Sequence, residues 1–143
     1  MATAASVSGP SSTAHKGLHI ALWVAQVLLA LGFGMGGLMK STTPMAELAA
    51  KMPWAGAVPE LLVRLIGISE VAAAVGLILP AATKVRPSLT PLAAACLVVV
   101  MVLAAIFHVT RGEFEALPIN IVLGGLAAFV AWGRHKKAPI AAR

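Results

Sequence analysis

The sequence is poor in the residues that soluble globular domains use for charge and cross-linking. In 143 residues it has one cysteine, no tyrosine and five acidic residues, and charged residues make up 11% of the chain. Soluble domains have about 25% charged residues. A single cysteine excludes an internal disulfide, and we expect Cys96, inside an apolar run, to be a small buried side chain. These deficits exclude an ordinary soluble domain.

Cofactor and nucleophile motifs are missing from the sequence as well. There is no cysteine pair, no haem-attachment motif, no glycine-rich phosphate loop and no serine nucleophile motif. His19 and His108 belong at opposite ends of the predicted bundle, about 30 Å apart, so they cannot jointly ligate a haem. We therefore predict no metal site and no evident cofactor, and a protein that is not catalytic on its own.

Long apolar runs dominate what is present, since hydrophobic residues make up 59% of the chain. A membrane-spanning helix needs about 17–25 consecutive apolar residues. The runs lack the period-2 alternation of a membrane β-barrel and the polar stripe of a soluble helix bundle. We predict an all-α polytopic membrane protein, an antiparallel bundle of four transmembrane helices. The four predicted helices are Leu18–Met39, Leu61–Leu79, Leu89–Val109 and Leu117–Trp132.

The rest of the chain divides around this transmembrane domain, residues 18–134. Residues 1–17 have a composition typical of disorder and predict a disordered cytoplasmic N-terminus, and residues 135–143 form a basic cytoplasmic tail. In the connection Lys40–Glu60, Thr43 and Pro44 indicate the start of a short interfacial helix lying at the membrane surface. Pro80 is expected to end the second transmembrane helix.

The basic residues favour one topology. One side of the predicted bundle holds seven lysines and arginines and the other holds three, which places both termini in the cytoplasm by the positive-inside rule. Basic connections of this kind meet anionic lipid, so the lipid bilayer is the expected partner and nucleic acid is not. The seven are Lys16, Lys84, Arg86, Arg134, Lys136, Lys137 and Arg143, and the three are Lys40, Lys51 and Arg111.

A few polar residues interrupt the apolar runs, and most of them have a similar predicted depth in the bundle. Helical rise places Lys40, Arg64, His108 and Asn120 in the outer third of the bundle, with Glu70 beneath them. Ionisable groups at membrane depth normally face the bundle interior. The pattern predicts a polar pocket in the outer half, although snorkelling or structural ion pairing could also explain these residues. The cytoplasmic half is expected to be nearly featureless, with Gln26 joining neighbouring helices there.

Small residues indicate where helices approach closely. Gly32 and Gly36 are four residues apart on one face of the first helix, a spacing that permits close helix packing. We therefore expect any oligomer to form through the Gly32/Gly36 face.

Several motifs in order resemble the DoxX-like family of small four-helix membrane proteins. They include Arg64-x-x-Gly67-x-x-Glu70, His108 ending the third helix, and Gly112-Glu113-Phe114 followed by Asn120. The resemblance implies a bacterial inner-membrane protein. Some relatives are small subunits of quinone-linked thiosulfate-oxidising complexes, and others are linked to oxidative-stress partners. The resemblance also implies that Arg64, Glu70 and His108 are candidate functional residues.

The leading hypothesis is an accessory or quinone-interacting subunit of a membrane redox system. His108 and Glu70 would exchange protons with the quinone oxygens, and Arg64 or Lys40 would stabilise negative charge. One alternative is a small transporter or export component with Glu70 as its proton-coupled carboxylate. Another is an assembly factor or scaffold without a ligand, in which the polar residues are structural.

Overall fold

The structure is a computed structural model and describes residues 12–143. These residues form five α-helices and three short helical turns, with no strand among them. The α-helices are α1 (Ser12–Thr42), α2 (Met45–Lys51), α3 (Glu60–Thr83), α4 (Leu89–Thr110) and α5 (Leu117–Trp132). The turns are two 3-10 helices, Pro53–Ala57 and Phe114–Ala116, and a π-helical turn, Gly133–Lys137.

In the part of the chain that the structure describes, four helices are long and apolar enough to cross a membrane. They are Thr13–Thr42, Glu60–Thr83, Leu89–Thr110 and Phe114–Lys137. α1 packs against α3 and α5, and α4 packs against the same two helices, so the four form a ring in chain order. The predicted four-helix membrane bundle is confirmed, and the protein is a multi-pass integral membrane protein.

The two ends of the bundle differ in content. We call the end formed by residues 40–60 and 110–117 the α2 end. The opposite end, formed by residues 13–19, 83–89 and 133–143, is the C-terminal end. At the α2 end Arg64 reaches the backbone of Lys40, and at the C-terminal end the amide N–H of Arg143 bonds the carbonyl of Lys84, 3.2 Å away.

The core is a layer of aliphatic side chains between the four helices, while the outward faces are also apolar. Outward residues include Leu31, Val99 and Ile121, each more than half exposed, as expected of a bundle surrounded by lipid chains. Cys96 is exposed on this outer face, so the expectation that it is buried was wrong. The largest fully buried apolar side chains of the core are Leu22, Leu29, Leu77, Leu97 and Val130.

α1 begins earlier than its apolar run. Residues 12–17 are helical, six residues ahead of Leu18, so the predicted disordered segment 1–17 does not extend through them. The remainder of that segment, residues 1–11, lies outside the described residues. An apolar run indicates only the part of a helix that crosses the bilayer. The helix itself can be longer, because its backbone hydrogen bonds continue into polar flanking residues that contain no helix breaker.

Pro80 does not end α3, which continues to Thr83. A proline inside a helix leaves the carbonyl four residues earlier, here that of Gly76, without its helical donor. The hydroxyl of Thr90 on α4 donates to this carbonyl at 3.1 Å. The prediction that the helix stops at Pro80 was therefore wrong, because a neighbouring helix supplies the missing donor.

The connection between α1 and α3 contains the predicted short helix, α2, followed by the 3-10 helix Pro53–Ala57. Leu48 and Ala55 are fully buried and form a small second core with Val63 of α3. This packing fixes the connection against the end of the bundle. Its placement at a membrane surface stays a prediction.

Candidate functional site

Lys40 and Glu70 form a buried ion pair between α1 and α3. Lys40 Nζ lies 2.7 Å from Glu70 Oε2, and the side chains are 12% and 4% exposed. The two helices come this close because Gly37 and Gly67 face each other: a Cβ on Gly37 would lie 2.7 Å from the carbonyl oxygen of Gly67. The pair keeps two opposite charges together inside an apolar bundle, where either alone would be strongly unfavourable.

Arg64 lies beside this pair and caps the end of α1. Its Nη1 donates to the carbonyl oxygens of Lys40 at 2.9 Å and Thr43 at 2.7 Å. The last carbonyls of a helix have no intrahelical donor, so the guanidinium satisfies groups that would otherwise need water. Nη2 and Nε hold Glu60 Oε1 at 3.0 and 3.3 Å. Arg64 is thus bound to backbone and carboxylate within the protein.

His108 belongs to a separate group at the end of α4. Its Nδ1 lies 2.7 Å from Glu113 Oε2, and the other carboxylate oxygen accepts a hydrogen bond from Arg111 Nε at 2.8 Å. Gly112 has a φ of 72°, which allows the chain to turn back so that Glu113 meets His108. Hydrogen bonds from His108 and Arg111 lower the pKa of the Glu113 carboxyl below its ordinary value of 4.5.

Asn120 faces neither group. It is 9% exposed on the first turns of α5 and lines a groove of about 240 Å³ between α4 and α5. The rest of the lining is apolar: Val98, Met101, Val102, Ala105, Ile121, Gly124 and Gly125.

The side chains of the predicted pocket therefore lie in three separate places. The predicted set is Lys40, Arg64, Glu70, His108 and Asn120. Lys40, Arg64 and Glu70 come together, whereas His108 pairs with the loop after α4 and Asn120 faces the groove. Similar depth did not bring the five together because depth leaves the direction around each helix undetermined.

A second polar cluster, which the sequence reasoning missed, lies at the C-terminal end. Gln26 is fully buried and donates from Nε2 to the carbonyl oxygen of Leu77 at 2.6 Å. Its Oε1 accepts from Arg134 Nε at 2.6 Å, and Arg134 Nη1 donates to His19 Nδ1 at 2.9 Å. The half of the bundle expected to be nearly featureless thus contains a buried arginine.

The one sequence signal for this cluster is Gln26, a polar residue inside an apolar run, whereas the role of Gly133 is visible only in the structure. Gly133 directly precedes Arg134, and a Cβ on Gly133 would collide with the side chain of Leu22 on α1. The glycine lets the backbone at the end of α5 lie directly against α1, so that the arginine turns inward instead of toward solvent. Gln26 inside an apolar run needs a polar partner, and Arg134 is that partner.

Two buried side-chain atoms within residues 12–143 have no hydrogen-bond partner, Asn120 Nδ2 and Arg134 Nη2. Asn120 lines the groove between α4 and α5, and Arg134 lines a cavity at the C-terminal end. An unpaired buried polar group is rare in a folded protein and needs an explanation. The same described residues contain no group of three His, Cys, Asp or Glu side chains that could hold a metal ion.

The chain matches a known protein family. The model of the DoxX-like family matches residues 24–130, a range that contains Lys40, Arg64, Glu70, His108 and Asn120. The chain belongs to the DoxX-like family. No curated protein and no solved structure matches it significantly. The DoxX-like match ends before Arg134, so the buried arginine lies outside the matched range.

Proposed function

We propose that this DoxX-like protein is an accessory subunit of a membrane redox system and binds a quinone head group between α4 and α5. The observation that carries the proposal is Asn120. Its Nδ2 is buried without a partner, in a groove whose other lining is apolar. Such a groove, with one unpaired amide NH₂ group, suits a molecule that is apolar apart from its acceptor oxygens.

A quinone has these properties, since it joins a flat ring with two carbonyl oxygens to an apolar chain. Asn120 Nδ2 would donate to one carbonyl oxygen, and the ring would lie against Met101 and Ala105. Gly124 and Gly125 leave the α5 side of the groove without side chains. Exposed Val102 and Ile121 at its margin open it toward the lipid, from which quinones arrive.

His108 lies beyond this groove, near the end of α4. It lies three residues beyond Ala105, roughly 4.5 Å along the helix axis. Its Nδ1 hydrogen is held by Glu113, because a carboxylate can only accept. In the neutral imidazole the other ring nitrogen is an acceptor, which suits a hydrogen bond from the hydroxyl of a quinol.

A binding measurement tests the proposal. The purified protein in maltoside detergent is titrated with a decyl-substituted benzoquinone, alongside the variants Asn120→Leu and Ser69→Ala. Ser69 is the control, since its exposed hydroxyl bonds only the Ile66 carbonyl of its own helix. We expect Asn120→Leu to lose about tenfold or more in affinity, as for a buried hydrogen bond, and Ser69→Ala to bind normally. Equal binding by both variants, or none by the parent protein, would overturn it.

A scaffold or assembly factor without a ligand is the second candidate. It is favoured by the Lys40–Glu70–Arg64 group, whose charged ends are already held by partners within the protein. In that case the Asn120→Leu variant would behave as the parent in quinone titration, while a partner protein would still copurify with it. The two candidates therefore differ in one measurement.

We also propose that the protein sits in a bacterial inner membrane with both termini in the cytoplasm. Seven lysines and arginines belong to the C-terminal end and three to the α2 end, which supports this orientation. Single cysteines at Lys51 and Lys137, placed in a Cys96→Ser background, test it in intact cells. A membrane-impermeant maleimide should label the cysteine at 51 and spare that at 137. The reverse labelling would overturn the orientation.

A further inference from the structure

Arg134 is a cation buried at the C-terminal end of the bundle, with an exposed fraction of 3%. Its protein partners are neutral: Gln26 Oε1 at 2.6 Å, His19 Nδ1 at 2.9 Å and the Ala138 carbonyl oxygen at 3.2 Å. Its guanidinium also lies over the ring of Trp23, 5.6 Å from the centroid. Buried charges in proteins are normally paired with an opposite charge, and these contacts supply none.

The sequence offers no side-chain carboxylate at this end. The five acidic residues all belong to the α2 half of the bundle, whereas seven lysines and arginines belong to the C-terminal end. The charge of Arg134 is therefore not balanced by any acidic side chain of the protein. The acidic residues are Glu47, Glu60, Glu70, Glu113 and Glu115.

The hydrogen bonds of Arg134 leave one side of the guanidinium unused. Arginine has five N–H donors, of which the one on Nε and the two on Nη1 have partners here. The two on Nη2 have none, although this atom is buried. Gln26 accepts from the Nε side of the guanidinium and is itself anchored by its hydrogen bond to the Leu77 carbonyl. Arg134 is thus fixed in position with a free pair of donors.

A cavity of about 400 Å³ adjoins Arg134. Its polar lining comes from Arg86, Ser88 and His135, and the remaining walls are mainly proline and alkyl side chains. Arg86 and Ser88 belong to the connection between α3 and α4, and His135 to the π-helical turn after α5. Ser88 precedes the N-terminus of α4, whose dipole favours negative charge. Every polar side chain of the lining can donate a hydrogen bond, and none carries a negative charge.

We propose that this cavity binds a phosphate group, with Arg134 and Arg86 as its cationic ligands. A guanidinium fork matches phosphate oxygens and forms the stronger, charge-assisted class of hydrogen bond. The phosphate supplies the negative charge that Arg134 lacks. Nη2 is closed off from solvent in this structure, so it donates to the phosphate only once the side chains around it shift. The cavity lies at the end of an apolar bundle, where lipid head groups are expected, so the group comes from a lipid or from free phosphate. This site is separate from the groove at Asn120, and neither proposal depends on the other.

Isothermal titration of the full-length protein in maltoside detergent, at constant ionic strength, tests the site. The probes are inorganic phosphate and dihexanoyl-phosphatidylglycerol, and the variants are Arg86→Gln and Lys136→Gln. Arg86 lines the cavity and is exposed, so its replacement leaves the core intact. Lys136 is also an exposed cation at the same end, and it does not line the cavity. Both variants remove one positive charge, which makes Lys136→Gln the matched control.

We expect the parent protein to bind a probe, Arg86→Gln to bind it about tenfold or more weakly, and Lys136→Gln to bind it normally. Binding of the lipid alone identifies a head-group site, and binding of both probes identifies a site for phosphate itself. Failure of the parent to bind either probe would overturn the proposal. An equal loss in Arg86→Gln and Lys136→Gln would also overturn it, because general attraction to a basic surface would then explain the binding. The quinone titration at Asn120 is unaffected by either result.

Discussion

The Thr90 hydroxyl donates a hydrogen bond to the Gly76 carbonyl oxygen, 3.1 Å away on the neighbouring helix. Gly76 is four residues before Pro80, so this carbonyl is the one that the proline deprives of its own helical donor. The contact lies between α3 and α4, where an added Cβ on Gly76 would be only 2.9 Å from the Cβ of Ala93. A proline in one helix, a hydroxyl in the next and a close approach of the two thus form one structural unit.

This unit predicts how Thr90 and Pro80 depend on each other. Thr90→Val should lower the free energy of unfolding by about 1–3 kcal/mol, because it leaves a buried carbonyl unsatisfied. In a Pro80→Ala background the helix regains its own donor, and the same change should have a much smaller effect. Unfolding by dodecyl sulfate in mixed micelles measures both. Thr110→Val is the control, since that exposed hydroxyl bonds only the Phe107 carbonyl of its own helix. Equal effects of Thr90→Val in the two backgrounds would contradict the account.

The Lys40–Glu70 pair should behave as a buried ion pair. Glu70→Leu alone leaves Lys40 without its partner and should destabilise the bundle by about 3–5 kcal/mol. The double variant Lys40→Met with Glu70→Leu should recover most of this loss, because no unpaired charge remains. Glu60→Gln is the control, since the Glu60 side chain is 61% exposed in its pair with Arg64. The same micelle titration measures all of them. A double variant as unstable as the single one would show that the pair is not the cause.

The crossing of α1 and α3 predicts a contrast between two glycines of α1. Gly37→Ala would place its Cβ 2.7 Å from the backbone oxygen of Gly67, so the helices must separate and stability must fall. In Gly32→Ala the added Cβ has no neighbouring atom within 4 Å. This change should stabilise α1 by about 0.5–1 kcal/mol, because alanine is favoured over glycine in a helix interior. Thermal unfolding in detergent distinguishes them. A similar response of both variants would mean that the close approach is not required.

Gly32 also bears on the predicted oligomer face. Gly32 is exposed, whereas Gly36 faces the buried Lys40–Glu70 pair. A Cβ added at Gly36 would lie 3.6 Å from Lys40 Nζ. Of the two glycines expected to form a contact between copies, Gly32 is thus the outward one. An oligomer through this face stays a prediction.

The sequence allowed the four membrane-crossing helices to be predicted because an apolar run of this length has few other physical explanations. The rise per residue also gave an expected depth for each polar side chain. What the pattern lacked was the direction of each side chain around its helix. Glu70 turns to α1, Asn120 turns to α4, and His108 finds its partner in the following loop.

Arg134 shows a different gap in sequence reasoning. An arginine just past the end of an apolar run has the position of an ordinary flanking charge. The positive-inside comparison therefore counted Arg134 among the basic residues at the membrane surface. Only the packing of Gly133 against Leu22 and the bond to Gln26 show that the side chain turns inward. A long-range contact of this kind between the first and last spanning helices leaves no local pattern in the sequence.

The Glu113 carboxylate predicts a dependence of stability on pH. Hydrogen bonds from His108 and Arg111 hold the pKa of Glu113 below its ordinary value of 4.5 in the folded protein. A lowered folded pKa means that the contribution is present above the unfolded pKa and is lost as pH falls through the folded pKa. The stability that the Glu113 carboxylate adds relative to Glu113→Gln should therefore be present above about pH 4.5 and shrink as the pH falls below it.

Removing the histidine should raise this transition. In His108→Ala the carboxylate keeps Arg111 but loses the hydrogen bond that contributes most to its shift, so the pKa of Glu113 should move back toward 4.5. Unfolding midpoints measured between about pH 3 and about pH 7, a range that includes the ordinary carboxyl pKa, report the shift. Glu115→Gln is the control, because Glu115 is a neighbouring exposed carboxylate of the same loop. An unchanged transition in His108→Ala would place the origin of the shift in Arg111 and remove the basis for treating His108 and Glu113 as one unit.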